Sequence, residues 1–158
     1  MTASLEAGQN APDFSLPIDN GDPVTLSSFQ GQNVVLFFYP KDLTSGCTKE
    51  SIAFSQLKAD FDQAGTHIIG ISADSITRHA KFREKHDLTV DLASDEEKAV
   101  IEAYGVWIEK SMYGRKYMGI ERATFLIDKK GKIARVWHKV RVAGHAEAVL
   151  KAVEEING

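Results

Sequence analysis

The stretch NVVLFFYPKDLTSGCTKE, residues 33–50, decides how the rest of the chain is read. Its first part, NVVLFF, is an unbroken apolar run of β-branched and aromatic residues, which predicts a strand buried on both faces. Pro40 stops it, because proline has no N–H to give a ladder. A loop with Thr44 and Gly46 follows, and a helix is expected to begin near Cys47. Phe54, Leu57 and Phe61 then recur at helical spacing, and Gly65 suits a helix end. The sulfur of Cys47 is therefore expected in or near a first helical turn, where free N–H groups and the positive dipole end favour an anion. Thiolate is the nucleophilic form of cysteine, and helix N-termini favour it. The end of a strand is also where open α/β sheets hold their sites. Against this stands the ordinary role of a lone cysteine as a small buried hydrophobe. These residues alone leave a reactive and an inert thiol equally open.

Working outward, FSLPI and PVTL flank DNGD, a short hairpin signal. LSSFQGQ reads as a loop or a turn of helix. HIIGIS is a second buried strand, SITRHAKFREKH a polar helix, and DLAS a short strand. DEEKAVIEAYG opens with acidic residues and ends in glycine, as a capped helix should. Residues 106–121, with two glycines and several polar residues, are expected to form an irregular, exposed connection. ATFLID, KKGK and IARVWHKV make a second hairpin, and AGHAEAVLKAVEEI a closing helix. Strands alternating with helices imply an α/β sandwich whose central mixed sheet carries helices on its faces.

The totals agree. With 158 residues, the chain is expected to be one domain over 1–158. Hydrophobic residues make up 43% and charged residues 26%, as in ordinary globular proteins. A net charge of −3 with scattered lysines and arginines gives no footprint for nucleic acid. No apolar run is long enough to span a membrane. The opening MTASLEAGQNAPDF lacks the basic and apolar parts of a secretory leader. One cysteine cannot form an internal disulfide, which fits a reducing compartment, so a cytoplasmic location is expected.

The spacing of Pro40, Thr44 and Cys47 resembles the active-site signature of the peroxiredoxins, thiol peroxidases built on a thioredoxin fold. FFYPKDLTSGCTKE is similar to the bacterioferritin-comigratory-protein branch of that family. GQNAPDFSL, YGVWIEKSMYGRKYMGIERATFLID and the closing hairpin and helix resemble the same branch in the same order. The resemblance implies a thioredoxin-like three-layer sandwich with an N-terminal β-hairpin. It also implies reduction of hydrogen peroxide and organic hydroperoxides through a cysteine sulfenic acid. On this resemblance Cys47 is the peroxidatic cysteine, and Thr44 contacts the sulfur and the peroxide. Pro40 shields the nascent sulfenate, and Arg122 approaches from the far end of the chain. Glu50 holds that arginine, and Tyr39 is a neighbour in the second rank. Arg122 read without the resemblance is an ordinary surface charge, Thr44 a helix N-cap and Pro40 a strand terminator.

Many members of the branch carry a second, resolving cysteine, at the position of Ile52 or near residues 82–84. This chain has none, and Ser45 stands where proline is usual. The sulfenic acid is thus expected to be reduced by an external thiol: thioredoxin, glutaredoxin or glutathione. Relatives of this kind imply a monomer. Ionisation alone cannot supply the activity. A free thiol of pKa about 8.5 is about 3% ionised at pH 7, so full ionisation gains at most about thirtyfold. The rest must come from orienting the peroxide and stabilising the leaving oxygen. The Thr44 hydroxyl, the Cys47 N–H and the Arg122 guanidinium are the donors to hand.

Other constellations point away from other chemistries. The five histidines show no metal-binding spacing, and His79 and His86 are expected on an exposed polar helix face. There is no CxxC, no GxGxxG and no P-loop, so no dithiol carrier, nucleotide cofactor or metal is expected. Met112, Tyr113, Tyr117 and Met118 are expected to be partly buried in the ordinary way. Two further readings stay open: a peroxide-responsive sensor whose Cys47 oxidises without turnover, and a structural thioredoxin-like module whose Cys47 resists alkylation.

Overall fold

The computed structural model describes residues 5–157. The chain opens with the hairpin of β1 (Ser15–Leu16) and β2 (Val24–Thr25), followed by a 3-10 turn at Leu26–Phe29. Then come β3 (Asn33–Phe38), α1 (Ser45–Gln56), α2 (Lys58–Gln63), β4 (Thr66–Ser72), α3 (Ile76–His86) and β5 (Asp91–Ser94). The second half holds α4 (Ala99–Ala103), β6 (Trp107–Met112), β7 (Arg115–Ile120), β8 (Ala123–Ile127), β9 (Ile133–Trp137) and α5 (His145–Asn157).

The main sheet runs β5-β4-β3-β8-β9. β3 lies at its centre, parallel to β4 and antiparallel to β8. Every residue of β3 is buried, as its apolar run requires. Its side chains alternate between two cores. Val34, Leu36 and Phe38 join Tyr104, Ile101 and Phe125 on the face covered by α4 and the N-terminal hairpin. Val35, Phe37 and Tyr39 join Phe54, Phe61, Phe82 and Val149 under the other helices. This is the mixed α/β, thioredoxin-like sandwich with helices on both faces, four against one.

Three expectations need correction. Residues 106–121 are not an irregular connection: β6 and β7 form a two-stranded antiparallel sheet of their own, from Trp107↔Ile120 to Met112↔Arg115. Its turn is Tyr113-Gly114, both with positive φ, a hairpin signal hidden by the polar strands around it. The helix read from DEEKAVIEAYG starts only at Ala99, because Lys98 is left-handed at φ 65°. Asp95 still caps it, its Oδ2 accepting from the Ile101 N–H at 2.7 Å. The helix after Cys47 is broken at Leu57, which separates α1 from α2.

Candidate active site

The site is built where the central strand ends. The Tyr39 N–H extends the ladder of β3 by one bond to the Ile71 carbonyl at 3.1 Å, and half-buried Pro40 then turns the chain away. Leu43 takes the left-handed region at φ 66°, and Thr44 stands as N-cap of α1. The first helical bond runs from the Thr48 N–H to the Thr44 carbonyl at 2.9 Å. The N–H groups of Ser45, Gly46 and Cys47 precede it, at the electropositive end of the helix.

Cys47 is 1% exposed and packs on one side against the core that includes Tyr39 and Phe54. Its other side is polar. Arg122 Nη2 donates to Cys47 Sγ at 3.2 Å, and Arg122 Nη1 donates to Glu50 Oε1 at 2.8 Å. Arg122 is not a free surface charge; its side chain is 18% exposed and Glu50's is 1%. The sheet makes the meeting possible. Phe38 pairs with Ala123 across β3 and β8, so the residue before Ala123 lies beside the loop that follows Phe38. Glu50 lies three residues after Cys47, on the same face of α1. Gly46 completes the fit: a Cβ there would stand 3.1 Å from Arg122 Nη2.

The electrostatics follow from this crowding. Burial pushes the Glu50 carboxyl up to about 7, with Arg122 opposing the rise. Glu50 Oε2 makes no hydrogen bond among the described residues. Burial works against the charge of Arg122, but Coulombic attraction to Cys47 and Glu50, with the hydrogen bonds to them, outweighs it and raises its pKa. Lys110 of β6 is lowered by burial and by the Arg122 charge, while Cys47 and Glu121 pull the other way. His145, at the start of α5, is lowered to about 4 by burial first and by Arg122 second.

The remaining expected residues are placed differently. The Thr44 hydroxyl donates to the Lys41 carbonyl at 2.8 Å and makes no cap bond to α1. Its proton is committed, so its oxygen is left as an acceptor. Tyr39 is fully buried, and its hydroxyl donates to Asp42 Oδ1 at 2.6 Å. His79 was expected on an exposed face; it is fully buried, bonded to Asp42 Oδ2 at 2.6 Å and to the Ala93 carbonyl at 3.0 Å. One apolar side chain, Phe82, lies on the same side of α3 and draws it inward. Met112, Tyr113, Tyr117 and Met118 are 45% to 98% exposed on the β6–β7 hairpin, not partly buried. Sequence reasoning missed Gly46, Asp42, His79 and Lys110. The first two lay within the quoted stretch, but nothing in the sequence shows which distant side chains meet them.

Comparison with known proteins places this arrangement in a class. The profile described as the AhpC/TSA family matches residues 7–136. The chain therefore belongs to the AhpC/TSA family, and it is a peroxiredoxin of the thioredoxin-like fold. Within that class its relatives include the "Peroxiredoxin Bcp" of Bacillus subtilis, 44% identical over 154 residues, covering 98% of each chain. The "Peroxiredoxin Bcp" of Escherichia coli is 42% identical over 151 residues, 96% of this chain and 97% of that one. A solved structure of Xanthomonas campestris bacterioferritin comigratory protein superposes with a TM-score of 0.90 at 40% identity, covering 97% of this chain and all of that one. That study concerns alkyl peroxide reduction by the Xanthomonas protein.

Proposed function

We propose that this thiol peroxidase reduces hydrogen peroxide and organic hydroperoxides through Cys47 alone, and that an external thiol completes the cycle. The observation that carries it is the guanidinium of Arg122 at 3.2 Å from the sulfur, braced by Glu50. The Cys47 thiolate attacks the distal peroxide oxygen. An S–O bond forms as the O–O bond breaks, and the electron pair leaves on the other oxygen, which takes a proton to become water or an alcohol. Arg122 lies where it stabilises charge on the oxygens as it moves. The Cys47 N–H offers a second donor. Thr44, with its proton held by Lys41, accepts the peroxide O–H and aims it.

The product is a sulfenic acid. An incoming thiol displaces water from it to form a mixed disulfide, and a second thiol releases Cys47. Neither position where relatives hold a resolving cysteine supplies one here: Ile52 is half-buried, and Phe82 is fully buried against Tyr39. Thioredoxin, glutaredoxin and glutathione are the candidate reductants, acting on a monomer in the cytoplasm. Mass spectrometry after peroxide, with and without each thiol, tests this. Sulfenate at Cys47 that becomes a mixed disulfide, with continuous peroxide consumption, is the expected result. A single stoichiometric oxidation that no thiol reverses would leave a sensor in place of an enzyme.

A further inference from the structure

Asp42 is held at every polar atom. Its N–H donates to Asp74 Oδ2 at 2.7 Å, and its carbonyl accepts from Arg78 Nη2 at 3.3 Å. Its carboxylate accepts from the Tyr39 hydroxyl on one oxygen and faces His79 Nδ1 on the other, both at 2.6 Å. Asp42 and His79 are completely buried. His79 Nε2 meets the Ala93 carbonyl, which can only accept, so Nε2 carries a proton. Where Asp42 is a carboxylate, Nδ1 donates to it and the ring is an imidazolium paired with Asp42 in the interior. No step of the peroxide chemistry uses it.

Its place in the chain gives it a use. Asp42 is two residues from Pro40 and two from Thr44, with the left-handed Leu43 between it and Thr44. A non-glycine residue in that region persists only where its surroundings enforce it. We infer that His79 is a positioning residue for the peroxidase reaction: through Asp42 it locks residues 39–44 from α3 and β5, and so fixes where the Thr44 oxygen and the first turn of α1 stand beside Cys47. The inference rests on Cys47 being the peroxide-reactive group.

The lock is sensitive to alkali. Burial opposes the charge of His79, but Asp42, the Ala93 carbonyl and Asp74 outweigh it and raise its pKa. The groups facing the pair are Tyr39 and Asp42 from the loop, Asp74 from the turn before α3, Arg78 from α3 and Ala93 from β5. A raised folded pKa means the bond is at full strength below about 6.5 and weakens as pH rises through the folded value.

The test uses the rate of Cys47 oxidation by hydrogen peroxide divided by its alkylation rate with iodoacetamide. Both reagents need the thiolate, so the ratio cancels ionisation and reports the donors arranged for peroxide alone. In His79→Ala the ratio is expected to fall at least tenfold at pH 7, whereas lowered stability of an unaltered site would leave it unchanged. In the wild type the ratio should fall as pH rises from neutral into the alkaline range. Asp42→Asn keeps the hydrogen bonds with a neutral ring, its amide donating to Nδ1, and the fall should disappear. The same variant keeps the test alive should His79→Ala not fold. His67→Gln, at the half-exposed pair of His67 with Asp91, serves as control and should change neither value. A ratio in His79→Ala within threefold of wild type, or a fall with pH that persists in Asp42→Asn, overturns the inference; in the latter case the titrating group is one beside Arg122, Glu50 or Lys110. A wild-type chain inert to peroxide sinks the peroxidase reading and this one with it.

Discussion

The guanidinium of Arg122 makes both its contacts through separate nitrogens, one to sulfur and one to Glu50. Lysine offers one point charge and no fork. Arg122→Ala should slow peroxide oxidation about a hundredfold or more, the cost of removing one preorganised donor at a developing charge. Arg122→Lys should recover little of it. Stopped-flow kinetics at a pH where each variant's thiol is fully ionised would show whether the deficit survives, as it must if arginine acts on the peroxide. Glu50 and His145 make a second pair of expectations. Glu50, raised to about 7, takes up a proton on folding, so its contribution falls as pH rises from about 4.5 to 7. His145, lowered to about 4, refuses a proton that the unfolded chain accepts, so its contribution is lost as pH falls from about 6.5 to 4. Each is worth on the order of 3 kcal/mol, with opposite slopes that largely cancel. Denaturant unfolding should show Glu50→Gln gaining on wild type as pH rises through that window, and His145→Gln gaining as it falls. The place of Cys47 and Thr44 at a helix start was legible in the sequence because the loop and helix around them are local. Arg122 was not legible from its neighbours, since its partners lie 72 and 75 residues away.

Among the elements, β4 shows how closely the sheet and α1 are fitted. Gly70 lies opposite Phe37, and a Cβ on it would stand 2.6 Å from the Phe37 ring. Phe37 in turn stacks on Phe54 of α1, with centroids 4.7 Å apart. Gly70→Ala should therefore cost about 1–3 kcal/mol by overpacking, against the gain that alanine usually gives over glycine. A shift of the urea midpoint to lower concentration, with the slope unchanged, is the expected reading. A stabilised variant would mean that the Phe37 ring has room to move. The strands and long helices were legible because their burial follows simple periods, as in β3. The β6–β7 hairpin was not: its side chains are mostly exposed, so no apolar alternation marks it. The same holds for His79, whose burial depends on what α3 packs against.

For the molecule as a whole, the pairing of β3 with β8 sets the geometry of the site. Val34 through Phe38 face Ile127 through Ala123, so Arg122 is delivered to the loop end by register alone. One glycine inserted between Arg122 and Ala123 keeps the apolar faces of β8 in place while displacing the guanidinium. That insertion should abolish fast peroxide reaction about as fully as Arg122→Ala, with the far-ultraviolet circular dichroism retained. Retained fast kinetics would show that the register does not govern the site. The same long-range pairing has a consequence in time. Ribosomes add about 5–20 residues per second, so Arg122 is joined roughly 4–15 s after Cys47. During that interval the nascent cysteine has no guanidinium partner, and oxidants meet only an ordinary thiol. If Arg122 acts on the peroxide as proposed, reactivity is thus withheld until most of the polypeptide has been made.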